Sequence, residues 1–390
     1  MKYDFDKVTD RKGTESLKWE KAKGMLPMWV ADMDIETFPG IQRAIEKRAS
    51  HGIYGYSEYS EEWNDAYIYW WETRHDFKIQ KDWLVFVTGV VPAISSAVRK
   101  LTTPGENVLI QTPVYPVFFN SILNNGRRVV ENKLIYNKDK HEYSIDWDDL
   151  VAKLRDPQTT LMVFCNPQNP SGNIWDKDTL TRIGELCKKF HVRVVSDEIH
   201  CDITAPGKEY IPFASVSETN REISVTCIAP TKTFNIAGIQ TAAMAIPDPD
   251  LRHKMWRGVN TDEVGEGNCF ASVAVKAAYT KQGGEWLDQL RKYLWENRKI
   301  AEQYIKANIH SLKTISSDAS YLMWVDCSEI TNDSDRFVEH LEKNAGLMLN
   351  SGKLFGGNGD KFVRINLACP RSLLEEGLNR LYNGTKIYHE

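Results

Sequence analysis

A chain of 390 residues, 42% of them hydrophobic, can bury a sizeable core and is long enough for two domains. Its 49 basic and 53 acidic residues leave a net charge of -4 and are mixed along the sequence, so no basic stripe offers itself to a nucleic acid backbone. The polar start MKYDFDKVTDRKGTESLKWE lacks the apolar centre of a signal peptide, and no apolar run is long enough to cross a bilayer. The seven cysteines contain no CxxC pair. The expectations are a cytoplasmic protein that binds neither nucleic acid nor membrane, with reduced thiols and no metal.

In chain order, MLPMWVADMD at 25–34 is a short apolar stretch ending in acids. Residues 39–50 read as a helix opened by Pro39 and residues 58–74 as a second helix with aromatic residues along it; HGIYGYSEY between them reads as an ordered loop. From residue 83 short apolar strands alternate with helices: WLVFVTG into VVPAISSAVRKL, then ENVLIQTPVY, TLMVFCNPQNPSG into KDTLTRIGELCKKF, VRVVSDEIH, and EISVTCIAPTK. That alternation predicts an α/β fold with a large, mostly parallel sheet over residues 45–280. A long helix at 285–309, apolar strands at 321–328 and 361–370, and a closing RSLLEEGLNRLYNG form a smaller α+β domain. With the N-terminal arm, it takes residues 1–44 and 281–390.

Ligands of an open parallel sheet bind outside the carboxyl ends of its strands. The residues following those ends are Gly89, Val90 and Val91, Tyr115, Asn169, Asp197 with His200, and Lys232. Backbone amides at a helix start, an aromatic ring, a side-chain amide, a carboxylate and an amine together suit pyridoxal phosphate better than a nucleotide. The lysine can hold the cofactor aldehyde covalently and the carboxylate can pair with the ring nitrogen. The Asp-x-x-His spacing of Asp197 and His200 also invites a metal reading, but no HExxH element accompanies it.

NPQNPSG at 166–172, PMWVADMD at 27–34, YGYSEY at 54–59, SDEIHCD at 196–202 and APTKTFNIAG at 229–238 occur in an order and spacing that resemble one family. It is the pyridoxal-phosphate enzymes of the aspartate aminotransferase fold, and within them the cystathionine β-lyase-like C-S lyases of MalY/PatB type. The resemblance implies that Lys232 carries the cofactor and moves the substrate's Cα proton, and that Asp197 faces the ring nitrogen. It also implies that Asn169 and His200 lie near the ring oxygen and that Tyr115 stacks on the ring. Val90, Val91 and Thr231 would hold the phosphate, and Arg364, with backbone near Ala31, the substrate carboxylate. Tyr56 would enter from the second subunit of a homodimer, with Tyr54 as the other candidate. The chain has Ala229 and Gln240 where aminotransferases commonly carry a phosphate-binding serine and arginine.

The implied activity is β-elimination from L-cystathionine or a related cysteine S-conjugate, giving a thiol, pyruvate and ammonia. An aminotransferase and a regulatory protein-binding role on the same fold are the alternatives. Aromatic residues in YIYWWETRHDF at 67–77 and GNCF at 267–270 offer either an apolar substrate pocket or core and dimer contacts.

Overall fold

Seven short runs rich in apolar residues form one sheet: β1 (Leu84–Val87), β2 (Asn107–Thr112), β3 (Arg128–Lys133), β4 (Thr159–Cys165), β5 (Arg193–Asp197), β6 (Ser224–Ile228) and β7 (Ala242–Ala245). They lie in the order β1-β7-β6-β5-β4-β2-β3 in a computed structural model that describes residues 3–389. Met1 and Lys2 of the polar N-terminal stretch, and Glu390, lie outside the described residues. Only β7 runs against its neighbours; the other adjacent pairs are parallel. The central strands β4, β5 and β6 are buried along nearly their whole length, which is why they read as continuous apolar runs rather than alternating ones. Strand β7 is Ala-Ala-Met-Ala, and alanine has little strand preference, so its pairing rather than its composition places it.

Helices α1 (Pro39–Ser50), α2 (Glu61–His75), α3 (Val90–Leu101) and α4 (Lys177–Lys189) belong to this unit. In α2 the buried residues are Trp63, Ala66, Tyr67, Trp70 and Trp71, the three-and-four spacing of a single apolar stripe. They join Phe234, Tyr279 and Trp286 in one cluster, so Tyr67, Trp70, Trp71 and Phe77 of YIYWWETRHDF are core, whereas Tyr69 is exposed. Helix α4 starts where Asp176 accepts a hydrogen bond from the Thr179 N–H at 2.7 Å.

A second, antiparallel sheet contains β8 (Lys313–Thr314), β9 (Leu322–Asp326), β10 (Asn350–Ser351) and β11 (Phe362–Asn366) in the order β8-β9-β11-β10. The long helix α5 (Lys281–Asn308) serves both cores. Its Trp286, Leu287, Leu290 and Leu294 pack with α2, whereas Ala301 and Ile305 pack with Met323 and Ile365 of the second sheet and Leu374 and Leu378 of α6 (Arg371–Lys386). The N-terminal segment is shared in the same way. Leu26–Pro27 pairs in parallel with Leu347–Met348, and Leu26 and Met28 lie in the second core, while Met33, Ile35 and Phe38 lie in the first. Residues 29–32 therefore run between the two units. The seven cysteines are free thiols, and among the described residues no helix is long and apolar enough to cross a membrane.

Candidate active site

Strands β1, β2, β4, β5 and β6 run in the same direction, so the segments leaving their carboxyl ends gather at one edge of the sheet. Lys232 stands four residues beyond β6 in a tight loop closed by Phe234 N–H to the Pro230 carbonyl at 2.9 Å and Ile236 N–H to the Thr231 carbonyl at 3.0 Å. Its Nζ donates to the carbonyl of Ala31 at 2.6 Å. Burial pushes the amine down to about 8, with Arg364 acting in the same direction and Asp32 and Asp197 opposing. The result is an amine of which about a tenth is neutral at pH 7, far more than for an ordinary lysine.

Asp197 is the last residue of β5 and is buried. One carboxylate oxygen accepts from the Ile199 N–H at 3.1 Å; the other has no hydrogen-bond partner among the described residues. Burial raises its pKa to about 6, against the lowering effects of the Ile199 N–H and Lys232, so it is mostly ionised at neutral pH. Among the described residues no ion pair to Asp197 is formed, although Lys232 acts on it at longer range, and an ionised carboxylate this deep is costly unless a positive group comes to it. A protonated pyridine nitrogen is such a group.

His200 is buried as well, and burial, reinforced by Lys232 and Arg364, drives its pKa down to about 3. It is therefore a neutral imidazole. Its Nδ1 is buried without a partner, and its ring meets Tyr321 edge-on at 6.0 Å. An orphaned ring nitrogen beside Lys232 fits a site built for a polar group that the protein itself does not supply.

Arg364 projects from β11 and is 4% exposed. Its Nη1 donates to Asn169 Oδ1 at 3.1 Å, and its Nη2 to the Trp29 carbonyl at 3.1 Å and Asn350 Oδ1 at 2.7 Å. The guanidinium carbon lies 4.9 Å from the centre of the Phe355 ring, and Nε has no partner. Every acceptor is neutral. Burial lowers its pKa to about 10, which leaves it a cation at neutral pH, so the cleft holds a buried positive charge whose fork lacks an anion.

Tyr115 follows β2, is mostly buried and feels the charges of Arg364 and Asp197, which places it in the same cleft. Thr231 is buried beside Lys232. Val90 and Val91 open α3, where first-turn N–H groups have no acceptor within the helix; Val90 is buried and Val91 partly exposed. Gly172 closes NPQNPSG with φ +77°, and a Cβ there would lie 1.9 Å from Ser317 Oγ. Only glycine lets the Asn169 loop press against residues 317–319.

The carbonyl of Ala31 receives two donors, Lys232 Nζ and the Tyr321 hydroxyl at 3.1 Å. It is an acceptor facing the lysine, so any backbone contact of Ala31 with a carboxylate falls to its N–H. Tyr56 is fully exposed and is not brought to the cleft within one chain. Tyr54 donates to the Ala49 carbonyl at 2.7 Å, and Tyr59 stacks on Phe86 at 4.0 Å. Gln240 is exposed in a left-handed conformation with φ +54°.

Sequence reasoning missed Tyr321, Asn350 and Asn366. Asn366 Nδ2 donates to the carbonyls of Val30 and Asp32, both at 2.6 Å, and so pins residues 30–32 over the cleft. It lies two residues after Arg364 on the same face of β11, a period-two signal that was available. Asn350 sits in a two-residue strand and carries no such signal.

A model of the aminotransferase class I and II family matches residues 29–381, and the chain belongs to that family. Within it the chain groups with the MalY/PatB relatives: it is 41% identical to cystathionine beta-lyase PatB of Bacillus subtilis over 383 residues, 97% of this chain and 98% of the relative. It is 32% identical to protein MalY of Escherichia coli over 392 residues, 98% and 99% of the two chains. Among solved structures, cystalysin of Treponema denticola, which contains a pyridoxal 5'-phosphate cofactor, matches with a TM-score of 0.95 at 33% identity over 99% of both chains.

Proposed function

We propose that the protein is a pyridoxal-phosphate-dependent carbon-sulfur β-lyase acting on L-cystathionine or a related cysteine S-conjugate. The observation that carries this reading is the electrostatic incompleteness of the cleft. A buried carboxylate without a cation, a buried guanidinium without an anion and a lysine with a lowered pKa occupy one site. A cofactor with a basic ring nitrogen and an aldehyde, together with an amino acid carboxylate, supplies all three partners. The similarity to PatB and MalY, and the absence of the usual arginine at Gln240, favour the lyase over the aminotransferase.

In this reading Asp197 faces the ring nitrogen, Tyr115 covers the ring, and Asn169 and His200 border its oxygen. The N–H groups of Val90 and Val91 and the Thr231 hydroxyl receive the phosphate. When bound, the cofactor supplies a covalent attachment for the substrate amino group and an electron-poor ring that lowers the acidity barrier at Cα. Arg364 grips the substrate carboxylate with two parallel hydrogen bonds and so presents the Cα–H to Lys232. The neutral Lys232 amine takes that proton, the C–S bond at Cβ breaks with the electron pair leaving on sulfur, and the three-carbon product is hydrolysed to pyruvate and ammonia.

The proposal includes a cytoplasmic homodimer in which Tyr56, on an exposed loop with Ile53 and Tyr54, reaches the cleft of the second copy. It also takes residues 45–280 as the cofactor unit and residues 1–44 with 281–390 as the smaller one, with Met33, Ile35, Phe38, Ile41 and the first half of α5 packing on the core of the cofactor unit. Turnover of L-cystathionine by cofactor-loaded protein, without any 2-oxo acid, tests the activity. Sustained release of pyruvate, ammonia and homocysteine in equal amounts from the dimer fraction is expected. Turnover that requires an added 2-oxo acid would make the protein an aminotransferase, and full activity in a monomer fraction would refute the shared site.

A further inference from the structure

Asp202 is buried and takes no part in the chemistry above, yet three donors converge on its carboxylate. Trp70 Nε1 and His75 Nε2 reach Oδ1 at 2.9 and 3.0 Å, and Thr233 Oγ1 reaches Oδ2 at 2.8 Å. The first two belong to α2; the third is the residue immediately after Lys232. His75, Cys201 and Asp202 bring ligand-type atoms within 4.8 Å of one another, but the three donors already occupy both carboxylate oxygens, so the cluster acts as a hydrogen-bond hub. A buried carboxylate is expensive unless its acceptors are filled, and here the filling ties a rigid helix to the lysine loop.

The other side of that loop is tied to the N-terminal segment. Asn235 accepts from the Met33 N–H at 2.9 Å and donates to the Met33 and Ile35 carbonyls, and Thr37 Oγ1 donates to the Phe234 carbonyl at 2.6 Å. That same segment carries the Ala31 carbonyl held by the lysine amine. Phe234 packs its ring against Trp70 and Trp286, a contact without a directional polar bond; without the Thr233 contact, the side-chain hydrogen bonds described for the loop would reach only the segment that its own lysine grips. The contact to Asp202 adds to that packing a directional hydrogen bond, at the residue next to Lys232, that refers the loop to α2.

We propose that Asp202, oriented by Trp70 and His75, is a positioning residue that fixes Lys232 through the Thr233 hydroxyl. The inference rests on the reading of Lys232 as the reactive lysine. Thr233 is fully buried, and valine has nearly its shape, so Thr233→Val removes the hydroxyl and leaves Asp202 with its two α2 donors.

The test compares wild type, Thr233→Val and Thr233→Ser as full-length protein in two ways. In cofactor-free protein, the pH profile of acylation of Lys232 by acetic anhydride is read by peptide mass. The charged groups facing that amine are Asp32, Arg364 and Asp197. In cofactor-loaded protein, kcat and KM are measured with L-cystathionine. For Thr233→Val the acylation midpoint moves up from about 8 toward the ordinary lysine value of 10.5, kcat falls about 10- to 100-fold with little change in KM, and Thr233→Ser restores both. A wild-type profile and kcat in Thr233→Val would overturn the proposal, as would losses that serine does not restore or that match a reduced folded fraction. Should Thr233→Val fail to fold, His75→Gln is expected to shift the profile in the same direction, and an unshifted profile there would overturn it. If wild-type Lys232 proves not to carry the cofactor, the loss of cofactor attachment exposes that failure separately, while the acylation profiles still report on positioning.

Discussion

Lys232→Ala protein is expected to fold, to lose the visible absorption of lysine-bound cofactor and to lose turnover by at least about 100- to 10,000-fold, the usual worth of a positioned proton-transfer group. The fold survives because the lysine side chain makes a single hydrogen bond, to the Ala31 carbonyl, and that oxygen keeps the Tyr321 hydroxyl as a donor. The surrounding loop keeps its own ties through Thr233 and Asn235. Absorbance and turnover, with thermal melting as the control for folding, check this. Retained turnover in the alanine variant would remove Lys232 from the chemistry.

Arg364→Ala is expected to cost the largest share of substrate binding. Truncating one partner of a buried, hydrogen-bonded charge pair costs about 2–5 kcal/mol, or about 30- to 4,000-fold in kcat/KM. Without substrate the arginine is held only by neutral oxygens, from Asn169, Trp29 and Asn350, so the protein has already met the cost of burying the charge, and the incoming carboxylate collects the benefit. Arg364→Lys keeps the charge but loses the two-pronged geometry, and should recover only part of the loss. Steady-state kinetics of both variants with L-cystathionine measure this. An alanine variant with wild-type kcat/KM would place the carboxylate elsewhere.

Much of the site was legible because its residues follow strands that announce themselves. Asp197 ends one apolar run that reads as a buried strand and Lys232 follows another by four residues, and Asn169 lies in a proline-rich turn ended by a glycine that the structure shows to be sterically required. What was hidden depends on chain-distant meetings. Tyr321 and Asn350 reach the cleft from the second sheet, and nothing local distinguishes a buried tyrosine that binds Ala31 from one that merely packs. The same holds for Asp202. Its motif was plain, but its partners lie in an aromatic helix and beside the lysine, more than a hundred and about thirty residues away respectively. Strand β7 escaped notice because a run of alanines carries no strand signal until two neighbours pair with it. The aromatic stretch at 67–77 was readable as pocket or as core and dimer contacts; Tyr67, Trp70 and Trp71, at three-and-four spacing, settle into core once α2 packs against Phe234 and Trp286, and Tyr69 is left exposed.

Borohydride reduction of the cofactor-loaded protein, followed by peptide mass mapping, tests most directly whether the cleft beyond β6 is the reactive centre. Attachment of the reduced cofactor at Lys232 alone, at about one per chain, is the expected result. Attachment at another lysine, or none at all, would contradict the assignment of Lys232 and with it the roles given to Asp197 and Arg364.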